Sequence, residues 1–207
     1  MKLYPAVLLP VLWKRKGPRF PLAFLATVFL GYLPYAWAIG WKVTGFLPTY
    51  FARFEDFNVG LRAFLTGDIG FTGDPARLVA MGILAVALGL ILIAIGRRRA
   101  ETPAAIARAG GWAVAAYLLL VPATMHPWYV VWLIPFLCAL PVAGGWYLSG
   151  AVVLSYAGYT VEPHQVPLWA RCTEYLPTYA LMLLALKASA RWPAWVSVPF
   201  LRAKTSP

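Results

Sequence analysis

The sequence predicts an all-α fold: a polytopic bundle of about six to seven transmembrane segments, with an amphipathic helix in one outer loop. Hydrophobic residues make up 61% of the 207 residues and charged residues only 12%, whereas a typical soluble domain has about 25% charged residues. The apolar residues come in long runs rather than in alternation. A soluble fold of this length would leave much of that surface in water, so lipid is the expected solvent.

Seven apolar runs divide the chain, at residues 3–13, 20–40, 78–96, 111–125, 127–141, 146–160 and 174–187. Runs 20–40 and 78–96 have the roughly 20 residues that a helix needs to cross the hydrocarbon core. Runs 111–125 and 127–141 are shorter, which predicts helices that are lengthened by their flanks, or tilted or broken helices. Residues 1–13 are too short to span. We therefore expect residues 1–207 to be a single transmembrane domain that forms the C-terminal part of a larger fold.

The formal net charge of +11 comes mainly from clusters that abut the apolar runs. This placement indicates contact with anionic headgroups rather than nucleic-acid binding. If residues 14–19, 97–109 and the tail after 186 are cytoplasmic, the inside holds twelve of the eighteen Lys and Arg residues and one of the seven acidic residues. The positive-inside rule thus predicts a cytoplasmic C-terminus and makes 41–77 an extracytoplasmic loop.

Within the loop 41–77, apolar residues recur at helical spacing between Leu47 and Leu65, which predicts an amphipathic helix in the outer interface. The polar side of this helix carries Arg53, Glu55, Asp56, Asn58 and Arg62. Glu55 and Asp56 are either part of a solvated charged face or carboxylates placed over a membrane-embedded site, where one would act as a base.

A polar interruption, His126-Pro127-Trp128-Tyr129, separates two apolar runs at the predicted outer face. Trp128 and Tyr129 suit an interfacial anchor. An ionisable side chain at membrane depth is a functional candidate by default, so His126 is a candidate for contact with a substrate or phosphate. Glu174 is expected to open the last helix, where a carboxylate favours the helix dipole. The two cysteines, Cys138 and Cys172, form neither a disulfide framework nor a metal-ligand spacing.

Four motifs follow one another in an order that matches a known family. They are Lys2-Leu3-Tyr4-Pro5 with Leu9-Pro10, Phe57-Asn58 preceded by Phe54, His126-Pro127-Trp128-Tyr129 with Trp132-Leu133-Ile134-Pro135, and Glu174-Tyr175-Leu176-Pro177. They resemble the K-x-x-P…LP, W-x-F-N, HPWY…W-x-x-P and EYxP motifs of bacterial polyprenyl-phosphate-dependent mannosyltransferases of the GT-C glycosyltransferase superfold. In the second motif, Phe54 stands where the family has Trp.

The resemblance implies that a sugar, with mannose as the expectation, is transferred from a polyprenyl-phosphate donor to a lipid or glycan at the outer face of the bacterial inner membrane. A carboxylate then deprotonates the acceptor hydroxyl, and Glu55 or Asp56 is the candidate. The candidates for contact with the donor phosphate or substrate are Lys2, Arg53, Asn58, His126, Trp128 and Tyr129. The donor is a substrate, and neither a metal nor a cofactor is implied.

One departure from the family pattern leaves alternative functions open. GT-C enzymes place a catalytic Asp or Glu in the first outer loop, and nothing in this sequence corresponds to that loop. We therefore expect a partner subunit or an upstream segment to supply it. The first alternative is a non-catalytic membrane subunit that retains the GT-C helical scaffold. The second, a lipid or small-molecule transporter, is disfavoured because there is no clear internal repeat and the polar residues gather at the outer ends.

Overall fold

A computed structural model of the chain describes residues 4–44, 57–68, 74–98, 102–122, 124–160 and 165–191. These described residues are mostly helical (86%) and contain no β-strand, which confirms the predicted all-α class. The α-helices are α1 (Leu9–Lys16), α2 (Arg19–Ile39), α3 (Leu61–Ala63), α4 (Asp74–Arg97), α5 (Pro103–Leu120), α6 (Ile134–Leu137), α7 (Ala143–Ala151) and α8 (Leu168–Arg191).

Shorter helical segments join or extend these helices. Four are 3-10 helices, at Tyr4–Leu8, Gly40–Thr44, Pro127–Trp132 and Val152–Thr160, and Phe64–Asp68 is a π-helical turn. The apolar run 127–141 is therefore a broken helix, which is one of the forms expected for it, whereas the run 146–160 passes from an α-helix directly into a 3-10 helix. Pro141 lies between α6 and α7, where its missing N–H and its steric effect on the preceding residue end the helix.

Three apolar helices of membrane-spanning length indicate a membrane protein. Within the described residues, the candidate spans are Arg19–Ile39, Pro75–Arg97 and Pro103–Leu120, with mean hydropathies of 1.7, 3.0 and 1.3. The most apolar of the three is α4, which begins at Asp74-Pro75 and carries no charged side chain between Arg77 and Arg97. Each of these helices is long enough to cross the hydrocarbon core of a bilayer.

The core of the bundle lies where α5 meets α6, α7 and α8. Its most completely buried apolar side chains include Val114, Leu118, Leu133, Leu137, Leu148 and Met182. Helix α7 approaches α8 closely at Gly144, where an added Cβ would lie 2.9 Å from the carbonyl oxygen of Thr178. Small residues allow this approach, as they do in other membrane bundles.

Helix α2 differs from the core helices because none of its residues is buried. It packs mainly against α1 and against the following turn, Gly40–Thr44. Large apolar side chains such as Phe29 and Trp37 are 65% and 90% exposed. This surface is the kind that faces lipid or another apolar helix.

Candidate functional site

The first element of the site is an irregular turn at Phe57–Gly60. Phe57 forms an isolated parallel bridge with Thr124, and the Met125 N–H donates to the Phe57 carbonyl over 2.9 Å. Asn58 adopts a left-handed conformation with φ = 48°, which Asn tolerates better than most residues. The helix predicted to continue from Leu47 to Leu65 therefore does not run through this turn.

The turn directs the Asn58 side chain into the bundle, where it meets Glu174 of α8. The Asn58 Nδ2 atom lies 3.1 Å from both carboxyl oxygens of Glu174 and 3.2 Å from the Met125 carbonyl oxygen. Asn58 is 3% exposed and Glu174 is fully buried. Because a buried carboxyl group is costly without hydrogen-bond donors, the Asn58 amide makes this position of Glu174 tolerable.

Two tyrosines of α8 complete the attachment of the turn. The Tyr175 hydroxyl donates to the Asn58 carbonyl over 2.7 Å. The Tyr179 hydroxyl accepts from the Leu61 N–H over 2.9 Å and donates to the Leu119 carbonyl over 3.0 Å. Tyr179 thus links the turn, α8 and the end of α5. We call Asn58, Gly60, Glu174, Tyr175 and Tyr179 the Asn58–Glu174 cluster.

Gly60 fits against both tyrosines of this cluster. A Cβ atom added at Gly60 would lie 2.5 Å from Tyr175 Cδ1 and 2.5 Å from the Tyr179 hydroxyl oxygen. Both distances are well below a van der Waals contact. The absence of a side chain at position 60 is therefore what allows the turn to pack directly on α8.

His126 stacks on two aromatic rings, one of which belongs to the turn. Its ring centroid is 4.8 Å from that of Phe57, with 29° between the planes, and 4.2 Å from that of Trp128, with 15° between the planes. The Tyr129 ring is 5.9 Å from His126. Trp128 is 51% exposed, whereas His126 is partly buried. We call Phe57, His126 and Trp128 the aromatic stack.

The described site residues gather in one region, although not all in the predicted setting. Asn58, His126, Trp128 and Tyr129 all lie at or beside the Phe57–Gly60 turn. The predictions for the remaining candidates, Lys2, Arg53, Glu55 and Asp56, lie outside the described residues.

Two residues assigned to the polar side of the outer helix require a correction. Asn58 and Arg62 are only 3% and 2% exposed, so their predicted place on the polar face of an interfacial helix was wrong. The physical reason at Asn58 is the left-handed backbone, which interrupts the helical periodicity and turns the amide toward Glu174.

Glu174 was expected to open the last helix, and this prediction was wrong. Helix α8 begins at Leu168 and has no acidic residue in its first turn, so Glu174 lies well inside it and away from the helix terminus. One signal was available: a carboxyl group at the edge of an apolar run requires a hydrogen-bonding partner. Gly60 carried no such signal, because its contacts come from residues more than a hundred positions away.

The space behind the Asn58–Glu174 cluster is too small for a sugar or a phosphate group. A cavity of about 10 Å³ lies beside Gly60, Arg62, Met125 and Tyr175, which is room for about one water molecule. Among the described residues, no group of three or more His, Cys, Asp or Glu side chains could hold a metal ion. A sugar or a phosphate group therefore does not fit in this cavity.

No protein-family model, curated protein or solved structure matches the chain. The resemblance to GT-C mannosyltransferases therefore rests on the four motifs, and the function must be argued from the site.

We expect Tyr179→Phe to lower the free energy of unfolding by about 2 kcal/mol, because it leaves the Leu61 N–H and the Leu119 carbonyl without their shared partner. Tyr147→Phe is the matched control, since the Tyr147 hydroxyl donates to Thr173 at an exposed position. It should change stability by less than about 0.5 kcal/mol. Unfolding by SDS in mixed micelles, followed by far-UV circular dichroism, measures both, and equal losses would contradict the bridging role.

Proposed function

We propose that the chain is a membrane glycosyltransferase of GT-C type, or the C-terminal part of one. It transfers a sugar, with mannose as the expected one, from a polyprenyl-phosphate donor to a lipid or glycan acceptor. The setting that we propose is the extracytoplasmic face of a bacterial inner membrane. The proposal includes a polytopic bundle of about six to seven membrane segments, some of them broken.

The observation that supports this proposal is the meeting of three motifs that are far apart in the sequence. Phe57-Asn58, His126-Pro127-Trp128-Tyr129 and Glu174-Tyr175 carry the resemblance to the family. Asn58 bonds both to the carbonyl of Met125, next to His126, and to Glu174, while Phe57 stacks on His126. The three motifs are expected to meet in the fold if they serve one site. If the similarity of each segment arose by chance, there would be no reason for them to meet.

The proposed reaction exchanges one bond at the anomeric carbon of the sugar. The acceptor oxygen bonds to that carbon, the bond to the phosphate oxygen breaks, and polyprenyl phosphate leaves. A carboxylate takes the acceptor proton, and Glu55 or Asp56 is our candidate because both immediately precede Phe57 in the chain. Glu174 is unsuited to this role because it is fully buried.

The developing charge on the leaving phosphate requires hydrogen-bond donors or cations. His126 is the described candidate, because its partly buried imidazole lies against the Trp128 ring, which is 51% exposed. Lys2 and Arg53 remain candidates for the same role. Trp128 and Tyr129 would contact the substrate from the interface, where their amphipathic rings are favourable.

We expect His126→Ala to lower the rate of sugar transfer about 100-fold, the usual effect of removing one group that stabilises a leaving oxyanion. The assay uses the full chain in proteoliposomes with polyprenyl-phosphate-[14C]mannose and follows the release of label from the donor. His164→Ala removes the chain's other histidine and is the matched control, which should keep the wild-type rate. If His164→Ala transfers sugar at a measurable wild-type rate and His126→Ala transfers it equally fast, His126 has no role in the reaction.

The same assay separates the proposal from its first alternative, a non-catalytic membrane subunit. That alternative is favoured by α2, whose side chains are all unburied and available to the helix of a partner. A subunit of this kind would bind polyprenyl phosphate without transferring sugar. If the properly inserted chain neither transfers sugar nor binds polyprenyl phosphate in preference to polyprenol, both the enzyme and the scaffold hypotheses are wrong.

A further inference from the structure

A second feature lies at the opposite end of the bundle from the aromatic stack. Helix α1, the first half of α5 and the Phe136 side chain line an apolar groove of about 400 Å³. Pro103, Ile106, Ala107 and Gly110 of α5 line one wall at positions i, i+3, i+4 and i+7, which form one face of a helix. The other wall is formed by Leu8, Val11 and Leu12, so every lining side chain is apolar.

The shape of the groove limits what it can hold. Its length along α5 from Pro103 to Gly110 is about 10 Å, at a rise of about 1.5 Å per residue. A membrane-spanning helix of about 20 residues is about 30 Å long, so the groove is too short to hold one along its length. A single hydrocarbon chain is narrow enough to fit, and the fully apolar lining excludes a sugar or a nucleotide.

Basic residues follow the groove-lining residues of α1 directly in the chain. Leu12 lies in the groove, and the next turn of α1 carries Lys14, Arg15 and Lys16. Gly96 of α4 lies against Pro10 of α1, since an added Cβ there would be 3.0 Å from the Pro10 carbonyl oxygen. This contact brings the end of α4, with the exposed Arg98 just beyond it, to the same end of the bundle.

We propose that this groove binds one acyl chain of an anionic phospholipid, whose phosphate lies at the Pro103 end between the last turn of α1 and Arg98. The apolar lining accounts for the chain, and the basic end accounts for the charge of the headgroup. Each Lys or Arg near an anionic lipid surface contributes about 1 kcal/mol, which corresponds to about a fivefold preference. The site is distinct from the aromatic stack and independent of the proposed glycosyltransferase activity.

Native mass spectrometry of the full chain tests the proposal. The protein is purified in detergent and receives equal concentrations of phosphatidylglycerol and phosphatidylcholine with identical acyl chains. We expect phosphatidylglycerol to be retained at least about fivefold more. Ala107→Phe fills the groove and should lower that retention at least about fivefold, whereas Ala85→Phe, at an exposed position of α4, should leave it unchanged.

A second variant leaves the apolar packing untouched. Lys16→Gln combined with Arg98→Gln should reduce the retention of phosphatidylglycerol to that of phosphatidylcholine, while phosphatidylcholine binding stays at the wild-type level. The proposal is overturned if the wild type retains the two lipids equally, or if Ala107→Phe behaves like Ala85→Phe. Retention of polyprenyl phosphate above that of phosphatidylglycerol at equal concentration would also overturn it if Ala107→Phe abolishes that retention, because the occupant of the groove would then be a different lipid.

Discussion

Gly60→Ala is expected to lower the free energy of unfolding by about 3 kcal/mol, the upper end of the usual cost of overpacking a well-packed core. The added methyl group would lie 2.5 Å from a ring carbon of Tyr175 and 2.5 Å from the Tyr179 hydroxyl oxygen. Neither tyrosine can easily move aside. The Tyr175 hydroxyl is bonded to Asn58, and the Tyr179 hydroxyl is bonded to both Leu61 and Leu119.

The control for this prediction lies in the same loop. A Cβ atom added at Gly67 meets no heavy atom within 4 Å, so Gly67→Ala should change the free energy of unfolding by less than about 0.5 kcal/mol. Both variants lose a glycine from the unfolded chain, so their difference isolates the steric contact. SDS unfolding in mixed micelles gives both values, and a Gly60→Ala protein as stable as Gly67→Ala would show that the turn does not pack on α8.

Asn58→Gly is expected to cost about 3 kcal/mol, because it removes the amide that faces a fully buried carboxyl group. Glycine is chosen because it accepts the φ of 48° found at this position. Asn58→Ala should be less stable than Asn58→Gly by about 1 kcal/mol, since a Cβ atom is unfavourable in the left-handed region.

A double-mutant cycle attributes the loss to Glu174. In a Glu174→Met background the buried carboxyl group is absent, and Asn58→Gly should then cost at least about 1 kcal/mol less than it does in the wild type. The backbone and unfolded-state effects of the new glycine cancel in this comparison. Thr27→Ala, which removes an exposed bond from the Thr27 hydroxyl to the Ala23 carbonyl, serves as the control for loss of an exposed hydrogen bond. A coupling energy near zero would mean that the Asn58 amide does not stabilise Glu174.

The two variants also bear on the proposed activity. Because Phe57 stacks on His126 and Asn58 bonds beside it, loosening the turn changes the position of one ring of the aromatic stack. Gly60→Ala and Asn58→Gly should therefore reduce sugar transfer even at temperatures where the protein remains folded. His126→Ala removes the imidazole itself and leaves the contacts of Gly60 unchanged. Its effect on sugar transfer therefore does not come from a loosened turn.

Composition and periodicity alone determined the class of protein, because the need for an apolar solvent follows from the number and length of the apolar runs. They identified the candidate spans 20–40 and 78–96 nearly to their ends, since long helices with terminal Pro, Gly and Arg carry strong local signals. The signal that predicts a break at His126-Pro127 was equally local. The sequence also made His126 and Asn58 candidate site residues, through motif resemblance and, for His126, the unusual presence of an imidazole at membrane depth.

Only the tertiary structure decided what these residues contact. Asn58 and Glu174 are 116 positions apart, and no local pattern records that their side chains meet, that Asn58 is left-handed or that Gly60 must lack a side chain. Each of these features depends on how closely α8 approaches the Phe57–Gly60 turn. The helical spacing from Leu47 to Leu65 predicted one continuous helix, but hydrogen bonds from Met125 and Tyr175 to the turn outweigh that local preference. Local sequence sets which segments are helical and apolar, whereas buried polar partners are set by packing between distant segments.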